Sequence, residues 1–343
     1  MQIGPIAKII ACATLMLAPI APAQAQDQSF ESAFAEVQSF EGAFDRQFGT
    51  ELRSPRDYNA DHGSALERRI ARLADGSRGR IGVAALDLST GEQIAILGDQ
   101  RFPMASTSKI AVAATFMEMV EQGKFSLTSE FPLLLPVRSQ KFSTAVAPVR
   151  RGEHMPAHQL IDLMITRSSN PATDALIAAV GGVDVVNDWA RRAGIEEFNL
   201  TRDIATLVRD DGEFDPAVHI DVRDSSTPMA MVELLSGLYQ GRWLSAESRE
   251  VIIDAMERCR TGTRRIPALM PEDVLVAHKT GSLNNTSSDI GVITAPDGRS
   301  IAVAIYVTGQ GTRRNREARI AEIARAIYDG YTEPRRVYAS ADY

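Results

Sequence analysis

The chain has 343 residues, 44% of them apolar and 24% charged. That length suits one large domain or two small ones, and the composition supplies a sizeable core, which excludes disordered, collagen-like and disulfide-scaffold chains. The formal charge is −7, from 37 Lys+Arg against 44 Asp+Glu, so no dominant basic stripe points to a nucleic-acid partner.

Residues 1–25 carry one cation (Lys8), an apolar run from Ile9 to Leu17 and the small-residue site Ala23-Gln24-Ala25. This layout predicts a secretory signal cleaved after Ala25, and the run is too short to span a bilayer. A periplasmic or secreted chain without a stable membrane anchor is therefore expected. Of the two cysteines, Cys12 and Cys259, the first leaves with the signal, so the mature chain has no intramolecular disulfide.

Residues 26–63 form an extension in which Phe30, Phe34, Val37, Phe40, Phe44 and Phe48 recur at spacings of three or four. Such a stripe predicts a helix packed on the main domain, followed by a linker through Pro55 and Asn59 to Gly63. A helix is expected at Ala65–Leu73, then strands at Arg80–Leu88 and Gln93–Leu97. Residues 105 to 260 read as mostly helix and loop, with helices at Lys109–Gln122, Ala157–Thr166, Ala172–Val180 and Met229–Leu238. Strand patterns return at Val274–Lys279, Ile290–Thr294 and Ile301–Val307, before a helix from about Thr312 to Gly330. The expected fold is α+β: one antiparallel sheet flanked by helices (residues 64–105 and 261–331), plus an all-helical lobe (106–260). The last residues, 332–343, read as a tail.

Three polar motifs fall at the junctions of these elements. In Ser106-Thr107-Ser108-Lys109, positions i and i+3 of a helix bring a hydroxyl and an amine to one face. A serine needs a base to become a nucleophile, and a buried lysine can be that base. Ser168-Ser169-Asn170 precedes Pro171 and forms a tight loop. Lys279-Thr280-Gly281-Ser282 offers a cation, a hydroxyl and, at Gly281, room for a ligand to approach the backbone. In this order the three outweigh the reading of each as a solvated turn.

Together they resemble the signatures of serine β-lactamases and penicillin-binding proteins. The surroundings are similar to class A β-lactamases over about residues 64–331: Phe102-Pro103-Met104-Ala105 before the serine, Leu163-Met164-Ile165-Thr166 and Asp174-Ala175-Leu176-Ile177 around the second motif, Asp224-Ser225-Ser226-Thr227-Pro228, and Thr261-Gly262-Thr263. The resemblance implies that Ser106 is acylated, with Lys109 its base and Ser168 the proton relay to the β-lactam nitrogen. It implies that Asn170 contacts substrate, that Lys279, Thr280 and Ser282 hold the substrate carboxylate, and that the N–H groups of Ser106 and Ser282 form the oxyanion hole.

Two departures stand out. Ser169 replaces the usual aspartate. More seriously, the family's Glu-x-x-Leu-Asn, whose Glu activates the deacylating water, is absent from Leu200-Thr201-Arg202-Asp203-Ile204-Ala205-Thr206-Leu207-Val208. Asp203, Glu196 and Glu197 are the possible substitutes. The expected protein is a monomeric hydrolase of β-lactams or acyl-D-Ala-D-Ala-like substrates with slow deacylation. The alternatives are a peptidoglycan D,D-peptidase or esterase, and an acyl-trapping protein without turnover. No cofactor is expected: His154 and His158 stand four apart, but Met155-Pro156 between them marks a helix start and no third ligand lies at metal spacing. His278 is expected to point away from the site, and Arg264-Arg265 to lie in a solvated loop or to aid carboxylate binding.

Overall fold

A computed structural model describes residues 50–52, 63–76 and 78–332. The signal, the Phe stripe, most of the linker and nearly all of the tail lie outside the described residues. Just after the stripe, β1 (Thr50–Leu52) is a strand rather than a helix, pairing antiparallel with β8 (His219–Asp221).

The centre is a five-stranded antiparallel sheet in the order β10-β11-β12-β2-β3. Its strands are β2 (Ile81–Asp87), β3 (Gln93–Ile96), β10 (Leu275–Leu283), β11 (Thr286–Thr294) and β12 (Ser300–Thr308). Strand residues alternate faces, and here both faces are covered. Ile81, Val83, Ile301, Val303 and Ile305 pack with Ile70, Ile320, Ile323 and Ile327. Those last four come from α1 (Ala65–Leu73) and α9 (Arg313–Thr332). On the opposite face, Ala84, Ala302, Ala304 and Tyr306 join the larger core of the helical lobe. Two-sided burial is why β2 and β12 read as unbroken apolar runs. α1 starts at a capping box, with Ser64 Oγ accepting from the Glu67 N–H at 3.0 Å and Glu67 Oε2 from the Ser64 N–H at 2.8 Å.

The lobe between the two parts of the sheet comprises α2 (Lys109–Glu121), α3 (Ala157–Thr166), α4 (Asn170–Val180), α5 (Val183–Arg192), α6 (Ile204–Asp210), α7 (Pro228–Gln240) and α8 (Ala246–Glu257). It is not wholly helical. β4 (Phe102–Pro103), β9 (Ser225–Ser226) and β7 (Phe198–Asn199) pair in that order as a small sheet, and β5 (Glu130–Pro136) and β6 (Val149–Pro156) form a hairpin with a register shift between Pro132 and Leu134. That irregularity and the three consecutive leucines hide the hairpin from a search for alternation. α2 is apolar all round and every residue from Lys109 to Met117 is buried, the mark of a central helix. Its first residue, Lys109, is buried with it. Among the described residues no helix is long and apolar enough to cross a membrane.

Candidate active site

The first motif does not open directly into an α-helix. Ala105–Ser108 forms a 3-10 turn, Ala105 has a left-handed backbone (φ 49°), and α2 follows from Lys109. Such a backbone is costly for alanine and concentrates at functional turns. It leaves Ser106 half-buried while Thr107, Ser108 and Lys109 are buried.

From the start of α2 the Lys109 Nζ reaches into the second motif. It donates to Ser168 O at 2.9 Å, to Asn170 Oδ1 at 2.8 Å and to Ser168 Oγ at 3.3 Å. Ser168 also takes a left-handed backbone (φ 57°), which aims its hydroxyl between two cations. The other cation is Lys279 Nζ, 3.0 Å from Ser168 Oγ and 2.9 Å from Thr280 O. Ser169 caps α4 by accepting from the Ala172 N–H, and Pro171 follows in the first turn. A serine at this position is thus accounted for as a helix cap.

Both lysines are fully buried. Burial draws the Lys109 amine well below its ordinary range, the Lys279 charge adds to this, and Asp174 opposes it. Burial likewise brings Lys279 down to about 8, against the pull of Cys259 and Asp289. The neutral amine is therefore more accessible at Lys109 than at an exposed lysine.

The third motif is on β10, at the edge of the sheet. Gly281 is needed for its approach: a Cβ there would lie 2.7 Å from Met104 O and 3.2 Å from Ala105 Cβ. The edge strand therefore lies directly against the turn that carries Ser106. Ser282 is exposed and Thr280 is buried. Arg265 is not in a solvated loop. It is buried under β10, donating to Gly281 O at 2.8 Å, Ser288 O at 2.6 Å and Ser282 Oγ at 2.6 Å. Arg264 is the solvated member, paired with Glu317 at 2.7 Å.

The segment without the glutamate is α6 and its approach. The loop is closed at its neck by Arg202 and Asp224 (2.6 Å), and Asp224 Oδ1 also accepts from the Thr201 and Arg202 N–H groups. The first-turn N–H groups of α6 are all taken by carboxylates. Ile204 N donates to Asp174 Oδ1 at 2.7 Å, Ala205 N to Asp174 Oδ2 at 2.9 Å and Thr206 N to Asp203 Oδ1 at 2.7 Å. Of the suggested substitutes, Asp203 is therefore an N-cap. Glu196 and Glu197 are exposed, line a groove with Asp99 and Met229, and Glu197 is paired with Arg101.

Asp174 escaped the sequence reading as a functional group. It is 3% exposed, and burial raises its carboxyl to about 7 despite the two N–H donors. Its signal was the i,i+4 spacing from Asn170, which puts both on one face of α4. His278 turns its Nδ1 to Asp289 at 2.9 Å. His154 lies in β6 and His158 in α3, so the pair does not share a helix face.

The match to known proteins follows these same boundaries. Residues 65–331 fit the family described as "Beta-lactamase enzyme family", and the chain belongs to it. It is a class A-like member and a β-lactamase-like hydrolase. Beta-lactamase CTX-M-8 of Citrobacter amalonaticus is 31% identical over 271 residues, covering 78% of this chain and 89% of that one. The extended-spectrum β-lactamase PER-1 of Pseudomonas aeruginosa is 27% identical over 275 residues, 77% and 86% of the two chains. Among solved structures, the ancestral GNCA class A β-lactamase superposes with a TM-score of 0.66 at 35% identity, over 77% of this chain and 99% of that one. A β-lactamase from Chitinophaga pinensis gives 0.69 at 25% identity, over 78% and 100%.

Proposed function

We propose that the protein opens β-lactam amides through an acyl-Ser106 ester that is hydrolysed slowly. The observation that carries this reading is the Ser168 hydroxyl held between Lys109 and Lys279. Neutral Lys109 takes the Ser106 proton as Oγ attacks the carbonyl carbon. The C–O bond forms, the C–N bond of the ring breaks, and Ser168 passes a proton to the departing nitrogen. Lys109 then re-protonates Ser168 along the same hydrogen bond. Lys279 with Thr280 and Ser282 holds the substrate carboxylate, Asn170 contacts the acyl side, and Gly281 lets substrate lie against the strand. The Ser106 and Ser282 N–H groups stabilise the oxyanion.

Slow deacylation is supported by the carboxylates at the start of α6, since Asp174 and Asp203 already accept from its first-turn N–H groups. Mixing the protein with a chromogenic cephalosporin and following its intact mass tests the reading. A fast burst with an acyl adduct supports it. Cleavage of a D-Ala-D-Ala peptide with no cephalosporin adduct would favour the peptidase alternative, and a permanent adduct the acyl trap. We further propose a monomer exported with cleavage after Ala25. N-terminal sequencing of the recovered protein checks this, and a start at residue 1 or lipid on Cys12 overturns it.

A further inference from the structure

A buried carboxylate lies on the same face of the sheet as the hydroxyls of Thr280 and Ser282. Side chains alternate along a strand, so His278, Thr280 and Ser282 of β10 share one face, and Lys279 and Gly281 belong to the other. In the strand register Asp289 of β11 is opposite Thr280, and Gly291 is opposite His278. Directly paired residues share a face, so Asp289 lies beside His278, Thr280 and Ser282. It is fully buried.

Two separate segments donate to this carboxylate. His278 Nδ1 lies 2.9 Å from both of its oxygens, and the Ile266 N–H donates to Oδ2 at 3.2 Å. A carboxylate only accepts, so Nδ1 is the nitrogen that carries the proton. Gly291 makes room for the ring, because a Cβ there would lie 2.8 Å from His278 Cβ. Burial works against a charged imidazole, but Asp289 leads the groups that outweigh it and hold the ring at about 10.

The Ile266 N–H belongs to the segment that lies against the edge strand. Ile266 opens a 3-10 turn (Ile266–Leu269) directly after Arg265. Arg265 donates to Ser282 Oγ at 2.6 Å, and Glu317 of α9 holds its guanidinium at 3.4 Å. The backbone behind that guanidinium is held by Asp289. Arginine only donates, so the Ser282 hydroxyl accepts from it and keeps its own proton for an outside acceptor. At the other end of the segment, Thr261 Oγ1 is 2.6 Å from Thr280 Oγ1, and a Cβ on Gly262 would lie 2.3 Å from Thr280 Cγ2. Residues 261–266 are thus fastened to β10 through Thr280 at one end and through Asp289 at the other. An edge strand has no neighbour on its outer side, so such ties decide where its hydroxyls stand.

We propose that Asp289 is a positioning residue for the substrate carboxylate: it fastens β10 to residues 261–266 so that the Thr280 and Ser282 hydroxyls converge on one anionic group. The proposal rests on the hydrolase reading above for the place of that carboxylate, but it needs no turnover. Asp289 itself touches no substrate.

The test compares, by calorimetry, the binding of a cephalosporin with its free ring carboxylate and of its methyl ester to the Ser106→Ala chain, which cannot be acylated there. With Asp289 present the acid should bind more tightly than the ester. A misplacement of about 1 Å can cost about a hundredfold, so the smaller shift expected of Asp289→Ala should cut the acid's preference about tenfold. Ester binding should stay unchanged. Asp289→Asn keeps an oxygen for the Ile266 N–H and should restore the preference to within about threefold of the intact chain. Loss of the Asp289 charge by itself would favour a bound anion, so weaker acid binding reports position. If Asp289→Ala does not fold, the isosteric Asp289→Asn decides, by a loss confined to the acid. Equal weakening of acid and ester, an unchanged preference in the variants, or no preference for the acid with Asp289 intact would overturn the proposal. Failure of the hydrolase reading would appear separately, as a chain with Ser106 intact that prefers the acid and forms no acyl adduct.

Discussion

The two sides of the site differ in what their polar groups are bound to. On the side of α2, the second motif and β10, two buried amines share one serine hydroxyl, and Ser106 stands beside them at a strained turn. On the side of α6, two carboxylates are tied to the backbone of a helix start. The first side holds groups that can exchange protons with a substrate. The second uses comparable groups to hold the chain in place. The difference separates the two half-reactions of an acyl-serine enzyme, because acylation needs only the first side.

The largest expected effect comes from removing the nucleophile. Ser106→Ala should abolish labelling by a fluorescent penicillin and all turnover, since no covalent step remains. It should cost at most about 1 kcal/mol of stability, the scale of a lost helix cap. Labelling that survives in a folded variant would break the comparison at its first side.

Next in size is the gap between the two half-reactions. Without a general base, water attack on the ester loses about 10²–10⁴ in rate, which is about 3 to 5 kcal/mol on the barrier. Stopped-flow traces with a cephalosporin should show a burst of one equivalent and then slow turnover. Fast linear turnover with no adduct would mean that a carboxylate on the α6 side is free to act.

This contrast was only half legible in the sequence. The three motifs and most of the sheet could be read because apolar runs and fixed spacings survive as pattern. The polar start of β11 could not. Thr286, Ser287, Ser288 and Asp289 are all buried, but they are buried by strand pairing on both sides, which leaves no apolar period. The roles of Asp174 and Arg265 were hidden for the same reason. Each acts on backbone groups distant in sequence, Asp174 on Ile204 and Ala205, Arg265 on Gly281 and Ser288. The missing glutamate was visible at once, whereas the helix cap that stands in its region was not.

A smaller effect, about ten- to a hundredfold on kcat/KM, is expected of Lys279→Met, which removes one charged hydrogen bond to substrate. Penicillin labelling should persist at high probe concentration. In the wild type, kcat/KM should fall as pH rises through about 8, where Lys279 loses its proton. Stability should respond in the opposite direction. Between about 8 and the ordinary lysine value near 10.5, the unfolded chain holds a proton that the folded one does not, so this group's contribution to stability rises with pH over that window. The Met variant should therefore flatten the dependence of Tm on pH there, and an unchanged slope would show that Lys279 is not the group responsible.

The smallest effect decides whether the second side is only structural. Asp203 accepts from the Thr206 N–H, and asparagine caps a helix about as well as aspartate, whereas alanine does not cap. If Asp203 is a cap and nothing more, Asp203→Ala should lower stability by about 1 kcal/mol. Asp203→Asn should then leave stability, burst and slow turnover alike unchanged, since the amide keeps the cap and lacks only the basicity. A carboxylate that also drew a proton from water would give the opposite pattern in the Asn variant, with Tm held and deacylation lost. The pair of variants thus separates the cap from the base by two different measurements, melting and post-burst rate.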